Sequence, residues 1–160
     1  MYYTVREIEE RDNLRVAQII RSCLIEYGAN HTGTVWSDPD LERFSFVYAH
    51  PGRRFFVAED ETGTVVACGG VGEVVGADGV CELQRMYAVP AARGSGVAQE
   101  LLRRCLAFAR ETGYTRCYLE TLENMCRAAR FYEKNGFART DKPLGNTGHF
   151  ACDRLYILDL

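Results

Sequence analysis

The chain contains no run of about 18 apolar residues, so no segment is long and apolar enough to cross a bilayer as a helix. Residues 1–12 carry charges where a secretory signal needs an apolar core, so no leader is expected there. Only four prolines occur, and no repeat, low-complexity tract or Pro/Ser-rich linker divides the sequence. No two of the seven cysteines stand in a C-x-x-C pair, which speaks against a zinc ribbon or a redox dithiol. The three histidines (His31, His50 and His149) form no metal-like cluster with Cys, Asp or Glu, and no metal is predicted. An excess of one charge is missing too. The 22 acidic residues nearly balance the 19 basic ones, and a net charge of −3 gives no global electrostatic reason for nucleic acid or an anionic membrane as partner. Finally, no Gly-Lys-Ser/Thr triplet exists, which excludes the P-loop.

What is present fits an ordinary globular protein. The apolar fraction is 47% and the charged fraction 26%. A length of 160 residues predicts one domain, 1–160, with a core large enough to need no disulfide or metal. Most of the cysteines (23, 68, 81, 105, 117, 126 and 152) sit among aliphatic residues, where a free thiol acts as a small buried hydrophobe. A reduced cytoplasmic setting is the expectation.

Patterning gives the order β-α-α-β-β-β-α-β-α-β-β. Tyr3–Ile8 alternates as a strand. Asp12 is expected to cap a helix carrying Leu14, Ala17, Ile20, Cys23 and Leu24 inward, with Gly28 as its stop. Ser37-Asp38-Pro39 suggests a second helix running through Phe46 and Val47. Strands follow at 55–58, 65–71 and 80–89, then a helix at 97–112 stopped by Gly113. The remaining elements are a strand at 117–121, a helix at 125–135 stopped by Gly136, and strands near 137–139 and 150–158. An antiparallel meander running into a β-α-β crossover implies an α/β (α+β) domain, with a mixed, mostly antiparallel sheet flanked by helices.

The most informative stretch joins the long strand to the third helix. After Pro90, Arg93-Gly94-Ser95-Gly96 opens directly into Val97-Ala98. The first N–H groups of a helix lack internal partners and carry partial positive charge, so such a turn is suited to an anion; glycines let the backbone come close, and Arg93 adds charge. A tight strand-to-helix turn needing glycine for its own sake is the bland alternative. A dinucleotide fingerprint would need a third glycine, but the sequence continues Val97-Ala98-Gln99.

This segment resembles motif A of the GCN5-related N-acetyltransferases, with Arg93, Gly96 and Ala98 at its defining positions. The stretch Ala128-Ala129-Arg130-Phe131-Tyr132-Glu133-Lys134-Asn135-Gly136-Phe137 resembles motif B. The resemblance covers the chain from about Arg54 onward. It implies acetyl-CoA as cosubstrate, with its pantetheine arm along Met86, Tyr87 and Ala88 and its pyrophosphate over Arg93, Gly94, Ser95, Gly96, Val97 and Ala98. Where the family often has Asn, this chain has Met125. Asn124, one residue earlier, caps the helix or touches the cofactor.

The same resemblance implies transfer of acetyl to a primary amine of a small molecule or a protein. Tyr132 then matches the acid that protonates the leaving sulfur, and a phenol is neutral at pH 7. Glu82 matches a strand position where some members carry a catalytic carboxylate. Simple alternation places it on one face with Gln84, Met86 and Ala88, and apolar neighbours would raise its pKa toward that of a base. Glu120 matches a base used by other members, and water is a third route. Tyr27, His31 and Trp36 are candidate acceptor-side residues. His149 and Cys152 lie on a loop that often borders the acceptor, or on a plain surface hairpin. Family members often dimerise, so a homodimer is an allowed partner. The alternatives to an enzyme are a CoA-binding or sensing module without turnover, and another nucleotide-binding α/β protein.

Overall fold

The computed structural model describes residues 2–121, 126–145 and 154–160. Asn124, Met125, His149 and Cys152 lie outside the described residues. The element order follows the sequence pattern: β1 (Thr4–Glu7), α1 (Asn13–Glu26), α2 (Phe44–Val47), β2 (Arg54–Glu59), β3 (Val65–Glu73), β4 (Val80–Ala88), α3 (Val97–Thr112), β5 (Arg116–Thr121), α4 (Cys126–Lys134), β6 (Ala138–Thr140) and β7 (Arg154–Asp159).

The strands form one sheet in the order β1-β2-β3-β4-β5-β7-β6. Every neighbouring pair is antiparallel except β4 and β5. These two are joined through α3, as a parallel crossover requires. Helix α3 turns Leu101, Leu102, Cys105 and Ala109 into a core shared with Phe56, Ala67, Leu83 and Tyr132. On the opposite face α1 buries Val16, Ile19, Ile20, Cys23 and Leu24 against Phe55, Val57 and Cys68, with Phe44 and Tyr48 closing the side. Five cysteines (23, 68, 81, 105 and 117) are free and buried. Burial in apolar surroundings pushes the thiols of Cys68 and Cys105 well above their ordinary pKa.

Three local expectations are corrected. The helix foreseen from Ser37 is a single turn at Phe44–Val47, while Val35–Ser37 forms a 3₁₀ turn capped by Thr34 Oγ1, which accepts from the Trp36 N–H. Asp12 stands at the N-cap of α1 but does not cap it with its side chain. Its carboxylate instead accepts from the Glu9 N–H and from both Arg6 Nη atoms, and Arg6 also reaches Glu59, tying β1 and β2 to the start of α1. Leu14 is exposed rather than inward, and Val16 and Ile19 fill the face assigned to it.

The fourth correction bears on the site. In the β3–β4 register Cys68 faces Tyr87 and Gly70 faces Gln84, so Arg85 and Met86 together oppose Gly69. This is a bulge, with Arg85 at φ +54°. The extra residue inverts the alternation. Met86 and Ala88 pack with Cys81 and Leu83 on the α3 face, whereas Tyr87 joins the α1 face. Glu82 and Gln84 therefore do not share a face with Met86 and Ala88. β3 accommodates the bulge with glycines. A Cβ on Gly69 would lie 2.9 Å from Met86 Cε, and one on Gly72 would lie 3.2 Å from Gln84 Oε1.

Candidate active site

The parallel pairing of β4 with β5 covers only Val80–Glu82 against Arg116–Tyr118. Beyond it the strands diverge, and the gap between them is lined from both sides. A cavity of about 80 Å³ there brings together Glu82, Glu120 and Tyr132, with Gln84, Arg85 and Thr34 around them. The three side chains singled out as catalytic candidates are thus gathered at one place.

Glu82 is buried, with 3% of its surface exposed. Its Oε1 accepts from Gln84 Nε2 at 2.6 Å, and Gln84 Oε1 in turn accepts from the Tyr48 hydroxyl at 2.6 Å. Burial pushes the Glu82 carboxyl up to about 7; the Gln84 hydrogen bond and the charge of Arg85 oppose this, and neighbouring Glu120 adds to it. Glu120 Oε2 accepts from the Tyr118 hydroxyl at 2.8 Å. Tyr132 is buried among Phe131, Phe137 and Tyr156. That burial raises its pKa, so the phenol keeps its proton at neutral pH.

Met86, Tyr87, Ala128 and Tyr132 also line a second, larger cavity of about 400 Å³. Its far end is formed by Ala88, Arg93, Gly94, Gly96, Val97 and Ala98. Gly94 (φ +76°) and Gly96 (φ +91°) adopt left-handed backbone, and Gly96 is the N-cap of α3. A Cβ at either position would meet nothing within 4 Å among the described residues, and the positive φ is what calls for glycine there. Ser95 Oγ donates to the Ala92 carbonyl. Cys23 and Tyr27 border the same cavity from α1, so Tyr27 lies on this side and not on the side assigned to it.

Arg93 differs from expectation. Its Nη1 and Nη2 donate to the two carboxylate oxygens of Glu26 at 2.6 and 2.8 Å, its Nε donates to the Ala88 carbonyl at 3.1 Å, and its own N–H is spent on Pro90. The guanidinium is a strap from the loop back to α1, already neutralised there. What the turn offers an anion is the backbone of Gly94 to Ala98 at the start of α3.

A third cavity, of about 220 Å³, adjoins the first through Glu82, Gln84 and Arg85 and is otherwise bounded by Val47, Tyr48, Val74 and the Arg53–Glu73 ion pair. Sequence reasoning missed Arg85, Tyr48 and Asp38 here. The Gly69-Gly70 doublet inside a strand was the available signal, since glycines there mark a bulge or a close approach. His31 and Trp36 do not line these cavities. His31 is exposed against the Thr32 carbonyl, and Trp36 packs on the α1 core, while Thr34 and Val35 line the first cavity instead.

Comparison with known proteins agrees with this geometry. The model of the acetyltransferase (GNAT) family matches residues 15–137. The chain is 40% identical over 151 residues to YjgM, an uncharacterised N-acetyltransferase of Escherichia coli K12, covering 93% of this chain and 90% of that one. A GNAT-family acetyltransferase structure from Staphylococcus aureus Mu50 superposes with a TM-score of 0.88 at 21% identity over 99% of both chains. The PaiA N-acetyltransferase of Thermoplasma acidophilum, solved in complex with coenzyme A, gives 0.78 at 16% identity over 100% of both.

Proposed function

Because the chain belongs to the acetyltransferase (GNAT) family, we propose that it transfers acetyl from acetyl-CoA to a primary amine within a ternary complex. The observation that carries this reading is the meeting of two cavities at Met86, Tyr87, Ala128 and Tyr132. One is lined by the glycine turn that opens α3 and the other by the buried carboxyl of Glu82. The fit to acetyl-CoA rests on this chain's own features. The turn at Gly94–Ala98 aims helix N–H groups at the site of a pyrophosphate, and β4 beyond Glu82 has no pairing with β5, leaving backbone for a pantetheine amide. Asn124, a candidate for the same ligand, lies outside the described residues.

In the reaction the amine nitrogen bonds to the thioester carbonyl carbon and the carbon–sulfur bond breaks. Glu82, with its carboxyl near 7, takes the proton that the ammonium must lose. Tyr132 offers its hydroxyl proton to the departing sulfur and is reprotonated, through solvent, by the second proton that the nitrogen sheds as the amide forms. Glu120 raises the basicity of Glu82 through its charge and is the second candidate base. Backbone N–H groups at Met86–Ala88 would polarise the carbonyl. A CoA-binding module without turnover is the weaker reading, since it gives no reason for a buried carboxyl and a buried phenol to share one small cavity. Five buried free thiols fit a reducing compartment, and we place the protein in the cytoplasm.

Thermal unfolding with acetyl-CoA, CoA, ATP and NAD tests the proposal. At a hundredfold excess over the dissociation constant, a bound ligand stabilises by about 2.7 kcal/mol, a rise of roughly 5–10 °C for this size. The expected result is a rise with acetyl-CoA and CoA alone, followed by free-thiol release with an amine. A rise only with ATP or NAD overturns the proposal.

A further inference from the structure

The Arg85 side chain is only 11% exposed, yet among the described residues it makes one side-chain hydrogen bond, Nη2 to Asp38 Oδ2 at 2.9 Å. Its Nε is enclosed and has no hydrogen-bond partner among the described residues. A guanidinium carries five N–H donors in a planar fork, and a buried one ordinarily finds acceptors for most of them. The group is nonetheless firmly placed. It lies over the Phe44 ring, 5.6 Å from the centroid. Asp38 is itself fixed through Oδ1, which accepts from the Asp40 N–H at 2.8 Å. The backbone beneath is held at φ +54°, a conformation that an arginine adopts only at a cost. Strain of this kind at a buried, under-used cation calls for a ligand.

Asp38 supplies one acceptor, to Nη2 alone, and among the described residues the other acids nearby add none. Glu82, the nearest in chain position, gives its Oε1 to Gln84 and forms no ion pair with Arg85. With its carboxyl near 7, Glu82 is partly neutral at physiological pH. Asp38 and Tyr48 complete the polar groups that bear on the guanidinium, and Tyr48 is protonated, its hydroxyl pushed up to about 12 by burial.

Resting on the reading of the site as an amine acetyltransferase, we propose that the acceptor carries a carboxylate beside its amine, as an α-amino acid does, and that Arg85 binds that carboxylate. The placement supplies both ends of such a molecule. Glu82 and Arg85 both line the small cavity where the thioester side is reached and the 220 Å³ cavity behind it. A carboxylate on the Nη donors of Arg85 that Asp38 does not use leaves the amine toward Glu82, and the side chain fills the space bounded by Val47 and Val74. A protein lysine or a polyamine brings no carboxylate and would leave the guanidinium as it stands.

The test compares matched acceptors on the wild-type protein: a panel of α-amino acids, each with its carboxamide and its decarboxylated amine, read by free-thiol release from acetyl-CoA. At least one amino acid is expected to be acetylated with kcat/KM about 100-fold above its carboxamide, because a site built for a group discriminates strongly against its absence. Arg85→Gln should bring the acid and carboxamide within about threefold of each other, through KM for the acid. Equal rates for acid and carboxamide overturn the inference, as does acetylation of a lysine peptide or polyamine with none of the amino acids. Either result leaves the acetyltransferase reading intact. Should Arg85→Gln fail to fold, the wild-type comparison alone decides. A protein that neither gains stability with acetyl-CoA nor releases thiol with any amine defeats the acetyltransferase reading, and this inference with it.

Discussion

Gln84 Nε2 donates to Glu82 Oε1 at 2.6 Å, and the same amide's oxygen is held by the Tyr48 hydroxyl, so one oxygen of the Glu82 carboxylate is tied to a fixed amide. The amide cannot rotate to present its oxygen to Glu82 without losing Tyr48. With Oε1 taken up by that donor, the proton that Glu82 exchanges belongs on Oε2.

This arrangement sets a pH dependence with opposite signs for activity and stability. The folded carboxyl titrates near 7 and the unfolded one near 4.5. Burying it neutral contributes stability that is fully present below about pH 4.5 and is lost as pH rises through 7, on the order of 3 kcal/mol in all. Glu82→Gln should therefore melt several degrees above the wild type at pH 8 and near it at pH 4.5, measured by thermal unfolding across that range. Over the same interval kcat/KM of the wild type should rise as the carboxylate forms, and that limb should vanish in the variant. A wild type whose rate does not respond to pH between 6 and 8, over roughly the span where such a group ionises, removes Glu82 from the role of base.

Tyr132→Phe should leave the fold and the cofactor in place. The ring sits among aromatic neighbours, with centroids 5.4 Å from Phe131 and 5.7 Å from Phe137, and these contacts do not need the hydroxyl. Stability should change by less than about 1 kcal/mol, and thermal stabilisation by CoA should persist. Turnover should fall about 100-fold if the hydroxyl serves the leaving sulfur. An unchanged rate assigns the acid elsewhere.

Gly96→Ala separates backbone strain from crowding. The added Cβ meets nothing within 4 Å, so the only penalty is holding alanine at φ +91°, about 1–2 kcal/mol. Urea unfolding should register that loss, and the N-terminal turn of α3 should relax enough to weaken CoA binding. A variant as stable as the wild type would mean that the turn shifts freely, and the assignment of its N–H groups to a pyrophosphate would fall.

Much of this was legible in the sequence because it rests on local rules. The element order, the glycine stops and the amphipathic face of α3 follow from period and punctuation, and the two motifs placed Tyr132 and the Gly94–Ala98 turn at the cavity that the fold builds. What was hidden depends on partners far apart in the chain. Arg93 looked like a charge for an anion, but Glu26, 67 residues away, claims it. Alternation along β4 put Glu82 with Met86, but a bulge accommodated by glycines of the neighbouring strand β3 reverses the faces. The short α2 shows the same limit, since Asp38 divides its carboxylate between the Asp40 N–H and the distant Arg85.

The bulge at Arg85 also divides labour along a single strand. Before it, Glu82 and Gln84 face one way and bear on the space where an acceptor would lie. After it, Met86 and Ala88 face the other way toward the glycine turn. Because the inversion falls between the two groups, substitutions at Gln84 or Arg85 that alter the acceptor side are expected to leave Met86 and Ala88 where they stand. One strand thus serves two spaces, and the boundary between its halves is a single residue wide.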